Sequence, residues 1–554
     1  MPEFVNAGTH HSPSWQQRRD APAYGHESMI AAAHPLTVQA GQAIQDQGGN
    51  AVDVVVACGL AAAVVMPEMC GLGGDLFAVV YDPSSGRKVA IMGSGISPRT
   101  SSDEDMLNAG DRETRQMPYQ GPLSIGVPGM VDAYNTLLTQ FGTMSFAQVA
   151  APAIDLARNG FTLLPKGAGS IAGSAGVLAQ DPAASAVFLR DGEPLQTGDL
   201  LKQTDLADTL DLIGREGTGA FYRGDLARRI ISYLESRGGL LSVDDFSDHT
   251  TEVTAPTSTT YRDFTVHQTC IPSQGLILLE ALNIIERAAI EDPLDPATIH
   301  TMVEAKKLAF ADRLGHAADP AFHDVPLEKI LSKAWAKRRY AAIEPTNAST
   351  SVSPAPLSDG DTTYICTADA SGLMVSLIQS VSSSFGSGII AGDTGVVMNN
   401  RVGRGFSLVK DHPNYYEPGK KTMHTLNCFL IDGADGTTVL AGGTPGGDGQ
   451  PQWNLQMISA LIDGGMDVQQ AIDMPRWTSW PGTDPSTIDN PFELRLESRF
   501  DESVISELKH RGHDVRVLEG WNGGGAAQMI ARNPKSGLLT GGSDSRVEGF
   551  ALGR

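Results

Sequence analysis

The chain has 554 residues, enough for three or four average domains or fewer large ones, and its 41 Lys plus Arg against 64 Asp plus Glu leave a formal charge of −23. So acidic a chain lacks the clustered cations that hold phosphate backbones, which excludes a nucleic-acid partner. A hydrophobic fraction of 41% excludes a disordered chain, and 61 Gly with 32 Pro, above the usual ~12% for the pair, fit a turn-rich α/β architecture.

Residues 1–27 are polar and read as a loose arm. They lack the basic-then-apolar pattern of a secretory signal, so a cytoplasmic location is expected. Leu36 to Gln47 reads as a helix stopped by Gly48-Gly49. Asn50 then caps a second helix, Ala51 to Val65, with Asp53 in its first turn and Pro67 past its end. The apolar run Val54 to Met66 within it has 13 residues, too few to cross a bilayer, and reads as a buried helix. The turn Gly71-Leu72-Gly73-Gly74 leads into a strand, DLFAVVYD, and so is no dinucleotide fingerprint. Helical patterns dominate from about 120 to 345, as in Asp225 to Arg237 and Ala297 to His316. Cys58, Cys70, Cys270, Cys366 and Cys428 are scattered without a CxxC and read as small buried hydrophobes.

The segment Pro345 to Asp361, PTNASTSVSPAPLSDGD, cannot hold a packed core and reads as a long exposed loop. Beyond it the pattern changes. Thr362 to Asp369 and Leu373 to Ser380 are β-like runs joined by Ala370-Ser371-Gly372. Gly395 to Asn399, Asn427 to Asp432 and Thr437 to Ala441 read as strands, and Gln450 to Asp463 and Glu502 to Arg511 as helices. Strands followed by helices suggest sheet layers covered by helices.

The common catalytic signatures HExxH, GxxxxGK[ST] and GxSxG are missing, and His10-His11 in the arm reads as solvated rather than as a metal ligand. No metal or organic cofactor is expected. The linker ending at Thr362 offers another chemistry. A threonine hydroxyl becomes a useful nucleophile when Thr is the first residue of a cleaved chain, because its own α-amine then serves as base. That amine has an ordinary pKa of about 7.7–8.0, so part of it is neutral near pH 7. Alone, a strand-initial Thr after a loop is a weak signal.

Several long blocks resemble the γ-glutamyltransferase family of N-terminal-nucleophile hydrolases. They are GGNAVDVVVACGLAAAVVMPEMCGLGGDLFAVVYD, SIGVPGMVDAYNTLLTQFGTMSFAQVAAPAIDLARNGF, GAFYRGDLARRIISYLESRGGLLSVDDF and EAKKLAFADR before the linker. DTTYICTADASG, SSSFGSGIIAGDTGVVMNNR and GGTPGGDGQPQ follow it. The resemblance runs in order from about Ala31 to Ser545. It implies an α/β fold, the αββα four-layer sandwich, built from two subunits of one autocleaved precursor. The large chain would be 28–361, ending in the linker 345–361, and the small chain 362–554. These chains would associate with each other and could assemble further.

The resemblance makes Thr362 the nucleophile and Asp361–Thr362 the cleaved bond. It places Ser380 where a second hydroxyl supports the nucleophile, and Gly446 and Gly447 where backbone N–H groups form an oxyanion hole. The substrate-binding positions differ from those of glutathione-active members. Ser94, His424 and Thr425 stand where those members hold a glutamyl carboxylate, and Ser382, Arg401 and Arg404 where they hold its α-amine. Two guanidinium groups in place of amine-binding groups reverse the local charge. The segment NNRVGRGFSLVKDHPNYYEPGKKTMHTL resembles instead the acylase and amidohydrolase branch of the family. The resemblance therefore implies hydrolysis of a small carboxylate-bearing amide, or transfer of its acyl group to an amine, through an acyl-Thr362 intermediate, with no membrane partner. Two rivals stand beside it. One is a γ-glutamyl hydrolase or transferase that recognises glutamate differently. The other is an uncleaved, catalytically silent scaffold.

Overall fold

The helix Ala51–Val65 is apolar around its whole circumference, and such a helix is stable only where protein covers every side. All of its residues are buried, and Asn50 and Asp53 close a reciprocal capping box at its start. The computed structural model that contains it describes residues 2–5, 15–350, 361–482 and 491–554.

The helix packs on a seven-stranded antiparallel sheet. In spatial order its strands are Phe550–Gly553, Ser28–Ala32, Asp361–Asp369, Met374–Ser382, Asp75–Asp82, Arg87–Gly93 and Glu252–Thr254. A second antiparallel sheet runs Ala23–Gly25, Leu539–Ser543, Gln528–Arg532, Thr438–Gly443, Phe429–Asp432, Phe264–Gln268 and Thr257–Tyr261. Each sheet interleaves strands from before and after Thr362.

Side chains alternate across a strand, and the alternation sets the layers. Ile365 joins a core with the helix Ala51–Val65, while Tyr364 and Cys366 face the second sheet. Leu430 and Ile530 meet them from that sheet. Phe429 and Ile431 point outward to a third core containing Ile277, Val303 and Ile458 of the helices Gly275–Ile285, Pro296–His316 and Gly449–Ile462. The order is helix, sheet, sheet, helix. Among the described residues no helix is long and apolar enough to cross a membrane.

Several readings of the sequence need correction. The expected arm 1–27 is partly built in: Phe4 and Val5 are buried in the third core, and Ala23–Gly25 pairs with Leu539–Ser543. His10 and His11 lie outside the described residues. The stretch read as helical up to 345 includes the strands Glu252–Thr254, Thr257–Tyr261 and Phe264–Gln268. These short sequences are rich in β-branched and aromatic residues, and pairing with neighbouring strands takes up their backbone groups. Gly395 to Asn399 is no strand; only isolated bridges join Val397 to Ile390 and Met398 to Gly73. Of the expected loop 345–361, residues 351–360 lie outside the described residues. Its root is held by Arg511, which donates to the Pro345 carbonyl, and by Lys307, which donates to that of Ser349.

Buried imidazoles give this fold a pH dependence. Burial first of all lowers His34, His412 and His424 to about 4 and His513 to about 3. Below the ordinary histidine value of ~6.5 the unfolded chain takes up protons that these folded rings refuse, so stability falls as pH falls toward 4. Glu280, raised to about 8 by burial, acts in the opposite sense for a single group. The melting temperature is expected to drop between pH 7.5 and pH 5. A melting temperature that stays level or rises over that range contradicts this reading.

Candidate active site

Thr362 sits at an irregularity in an interior strand. Asp361 is paired with Ser382 and Thr363 with Gln379, so the register shifts by one residue at Thr362. Such bulges re-aim a side chain. Thr362 is buried, and its Oγ1 makes no hydrogen bond among the described residues. Its hydroxyl is thus not joined to Ser380, the expected supporting group. The Ser380 Oγ instead accepts the Ser382 N–H at 2.7 Å. Ser382 itself has φ of +90°, a conformation that non-glycine residues seldom adopt and that concentrates at functional sites.

Gly446 and Gly447 lie between the strand Thr438–Gly443 and the helix Gly449–Ile462. Gly446 lines one pocket of about 200 Å³ together with Thr362. The Gly446 carbonyl accepts from Gly449 N–H at 2.8 Å. In a planar trans peptide the N–H points opposite to the carbonyl, so the Gly447 N–H faces away from that helix. Neither glycine's N–H has a partner among the described residues. Gly446 has φ of +119°, and a Cβ there would lie 2.2 Å from the Trp453 ring. Only glycine fits.

A clamp from the chain before Thr362 holds this loop. The buried Arg313 donates through Nη1 to Gln274 Oε1 at 2.8 Å and to Asp448 Oδ1 at 2.5 Å. Because Arg313 can only donate, Gln274 turns its amide nitrogen the other way. That Nε2 donates to the carbonyls of Thr425 at 2.6 Å and Gly447 at 2.8 Å.

The expected substrate-binding residues gather around Asp75. Arg401 Nε donates to Asp75 Oδ2 at 2.9 Å, and His424 Nε2 meets the same oxygen at 3.0 Å. Arg401 is therefore charge-compensated by Asp75. Burial works to raise the Asp75 carboxyl, but His424 and Arg401 outweigh it and hold it below the ordinary carboxylate range. Burial lowers His424 to about 4, so the ring is neutral, donates from Nε2 and keeps a lone pair on Nδ1. Burial also brings Arg401 down to about 10. Arg404 Nη1 donates to the Ser382 carbonyl at 3.2 Å and reaches Thr425 Oγ1 at 3.4 Å. Ser94 follows the strand Arg87–Gly93, whose Gly93 pairs with Leu76 next to Asp75. Arg401 Nη2, His424 Nδ1, Ser94 Oγ and Ser382 Oγ are buried without partners among the described residues.

Among the described residues one group brings metal-type ligands within 4.8 Å of one another: His300, Glu304 and His513. These groups already satisfy each other and their neighbours. His300 Nδ1 meets His513 Nε2 at 2.8 Å, and Glu304 pairs with Lys307 at 2.7 Å. None of the three lines the Thr362 pocket.

Residues 37–553 match the family model for gamma-glutamyltranspeptidase. The chain belongs to that family. It is 38% identical to the glutathione hydrolase-like YwrD proenzyme of Bacillus subtilis, over 96% of this chain and 99% of the relative. It is 35% identical to the oxamate amidohydrolase proenzyme of Klebsiella pneumoniae, over 95% and 98%. A crystal structure of cephalosporin acylase from Bacillus halodurans superposes with a TM-score of 0.90 at 32% identity, covering 98% of both chains. As a member of the gamma-glutamyltranspeptidase family, the chain is an autoprocessing amidohydrolase of the N-terminal-nucleophile type, made as a precursor of two subunits.

Sequence reasoning missed Asp75, Gln274, Arg313 and Asp448. Asp75 stood in GLGGDLF and Arg313 in EAKKLAFADR, blocks that carried the family resemblance without revealing these contacts. It also missed the network of Arg476, Arg499 and Arg546 with Glu497 and Asp544. That network anchors the loop beside the pocket, where Arg476 donates to the Gly524 carbonyl at 2.5 Å and Gly523 N–H to Glu497 at 2.9 Å.

The Gly446 geometry yields a test. Gly446→Ala should lower turnover of any amide substrate about a hundredfold, the scale of a lost oxyanion donor. Adding Trp453→Ala removes the clash but leaves the positive φ, so most of the loss should remain. Near-normal kcat in Gly446→Ala would take this loop out of the reaction.

Proposed function

We propose that the precursor cleaves itself between Asp361 and Thr362, and that Thr362 then hydrolyses a small amide whose acyl half carries a carboxylate. In maturation the Thr362 hydroxyl attacks the Asp361 carbonyl, the acyl group shifts from nitrogen to oxygen, and water hydrolyses the ester. This frees the α-amine of Thr362. In turnover that amine takes the hydroxyl proton as Oγ1 adds to the substrate carbonyl. The proton passes to the departing amine, leaving an acyl ester on Thr362 that water cleaves. The N–H groups of Gly446 and Gly447 receive the oxyanion in both halves of turnover.

The carboxylate preference rests on one observation: around Asp75, Arg401 Nη2, Ser94 Oγ and Ser382 Oγ are buried donors without partners among the described residues. An anion would satisfy them, and guanidinium groups suit carboxylates. The same cluster discourages an α-ammonium, because Asp75 Oδ2 is already shared by Arg401 and His424. The name of the oxamate amidohydrolase relative agrees with such a substrate.

Two measurements test this. Purified wild type should run as two chains, the smaller beginning Thr-Thr-Tyr, while Thr362→Ala stays full length. Cleavage that proceeds normally in Thr362→Ala would sink the assignment. For substrate, kcat/KM should favour oxalyl, succinyl or glutaryl amides over glutathione and γ-glutamyl anilide. Arg404→Asp should narrow that preference. A wild-type preference for glutathione of about tenfold or more, unchanged in Arg404→Asp, would replace this reading with the plain γ-glutamyl one.

A further inference from the structure

Thr362 has two different flanks. On one side of its strand lies Met374–Ser382 and, beyond it, Asp75–Asp82, which together bring in Ser382 and Asp75 of the polar cluster. On the other side lies Ser28–Ala32. Ala33 and His34, directly after that strand, line the pocket that Thr362 and Gly446 share. None of Ser94, Ser382, Arg401, Arg404, His424 and Thr425 lines it. The walls are mainly apolar, from Val65, Met69, Leu163, Leu164, Ala526 and Val547. At about 200 Å³ it exceeds the ~150 Å³ apolar cavity that admits benzene. Its charged members are Glu68, Glu548 and Lys166, two carboxylates against one ammonium.

We infer that this pocket is the subsite for the amine half of the substrate and that it takes an apolar amine bearing no carboxylate. The inference rests on the reading above, in which the acyl carboxylate occupies the Arg401 flank. An amide held with its carbonyl carbon at Thr362 Oγ1 and its oxygen at Gly446 must send its two halves to opposite flanks. The amine half then meets the apolar walls. Each methylene buried there improves kcat/KM by up to about fourfold. A carboxylate on the amine would be desolvated next to Glu68 and Glu548, which repel it.

The test uses mature wild-type enzyme and three amides of one acyl group, whichever of oxalyl, succinyl or glutaryl is cleaved fastest. The amines are hexylamine, 1,6-diaminohexane and 6-aminohexanoate. They are similar in basicity at the reacting nitrogen, so differences in kcat/KM report on the pocket. The hexylamide should exceed the 6-aminohexanoate amide by about tenfold or more, with the diaminohexane amide between them. Leu164→Lys adds a cation to the half-buried wall and should shift the ratio toward the 6-aminohexanoate amide, a gain that misfolding cannot imitate. Equal kcat/KM for all three amides, or a ratio unmoved in Leu164→Lys, overturns the subsite and leaves the amide reading standing. If no acyl group of the panel is cleaved at all, the carboxylate-amide reading falls, and this inference with it.

Discussion

The position of Thr362 within its sheet constrains everything else in the site. The strand Asp361–Asp369 is an interior strand, paired on one side with Met374–Ser382 and on the other with Ser28–Ala32. Interior strands are held by two ladders, so their residues are fixed more tightly than those on a loop. The register shift at Thr362 frees one residue from this regularity at the place where a reacting side chain must leave the ladder. Rigid surroundings with one released residue suit a nucleophile that must first meet the carbonyl before it and later a substrate carbonyl in its place.

Around Thr362, the proposed nucleophile, charge is handled by compensation rather than exposure. A buried guanidinium without a counter-charge would be very costly, and Asp75 supplies one for Arg401. The same carboxylate fixes the tautomer of His424. This compensation is incomplete: Asp75 binds Arg401 through Nε, while Nη2 has no partner among the described residues. A net charge of −23 repels anions at long range, so any preference for them must come from this local set of donors.

The elements most legible in the sequence were those whose stability is local. Asn50, Asp53 and an unbroken apolar run marked the helix Ala51–Val65 to the residue, and DLFAVVYD marked the strand Asp75–Asp82. The strands Ser28–Ala32 and Thr257–Tyr261 were not legible: SMIAA carries little β preference and is a strand through distant neighbours, and TSTTY, though rich in β-branched and aromatic residues, lacks the apolar alternation that marks a strand. The site divides the same way. Thr362, Gly446 and Gly447 could be named because motifs around them carried the family resemblance. Gln274 could not, since its importance lies in contacts with Arg313, Thr425 and Gly447, which are far from it in the chain. The counter-charge of Arg401 is likewise 326 residues away in Asp75, beyond any local pattern.

Those long separations also bear on why a chain cut before Thr362 would hold together. Both large sheets combine strands from either side of that bond, so the cores between the layers contain residues from both segments. Separating the segments would strip central strands from both sheets and expose cores now buried, at a cost far above that of a single surface contact. The Gln274–Arg313 clamp crosses the same boundary. Arg313 and Gln274 lie before Thr362, whereas Asp448, Gly447 and Thr425 lie after it. A first segment cut from Thr362 would therefore still set the loop facing it. The proposed cut would change the chemistry at Thr362, by creating an α-amine, without dismantling the surroundings that orient it.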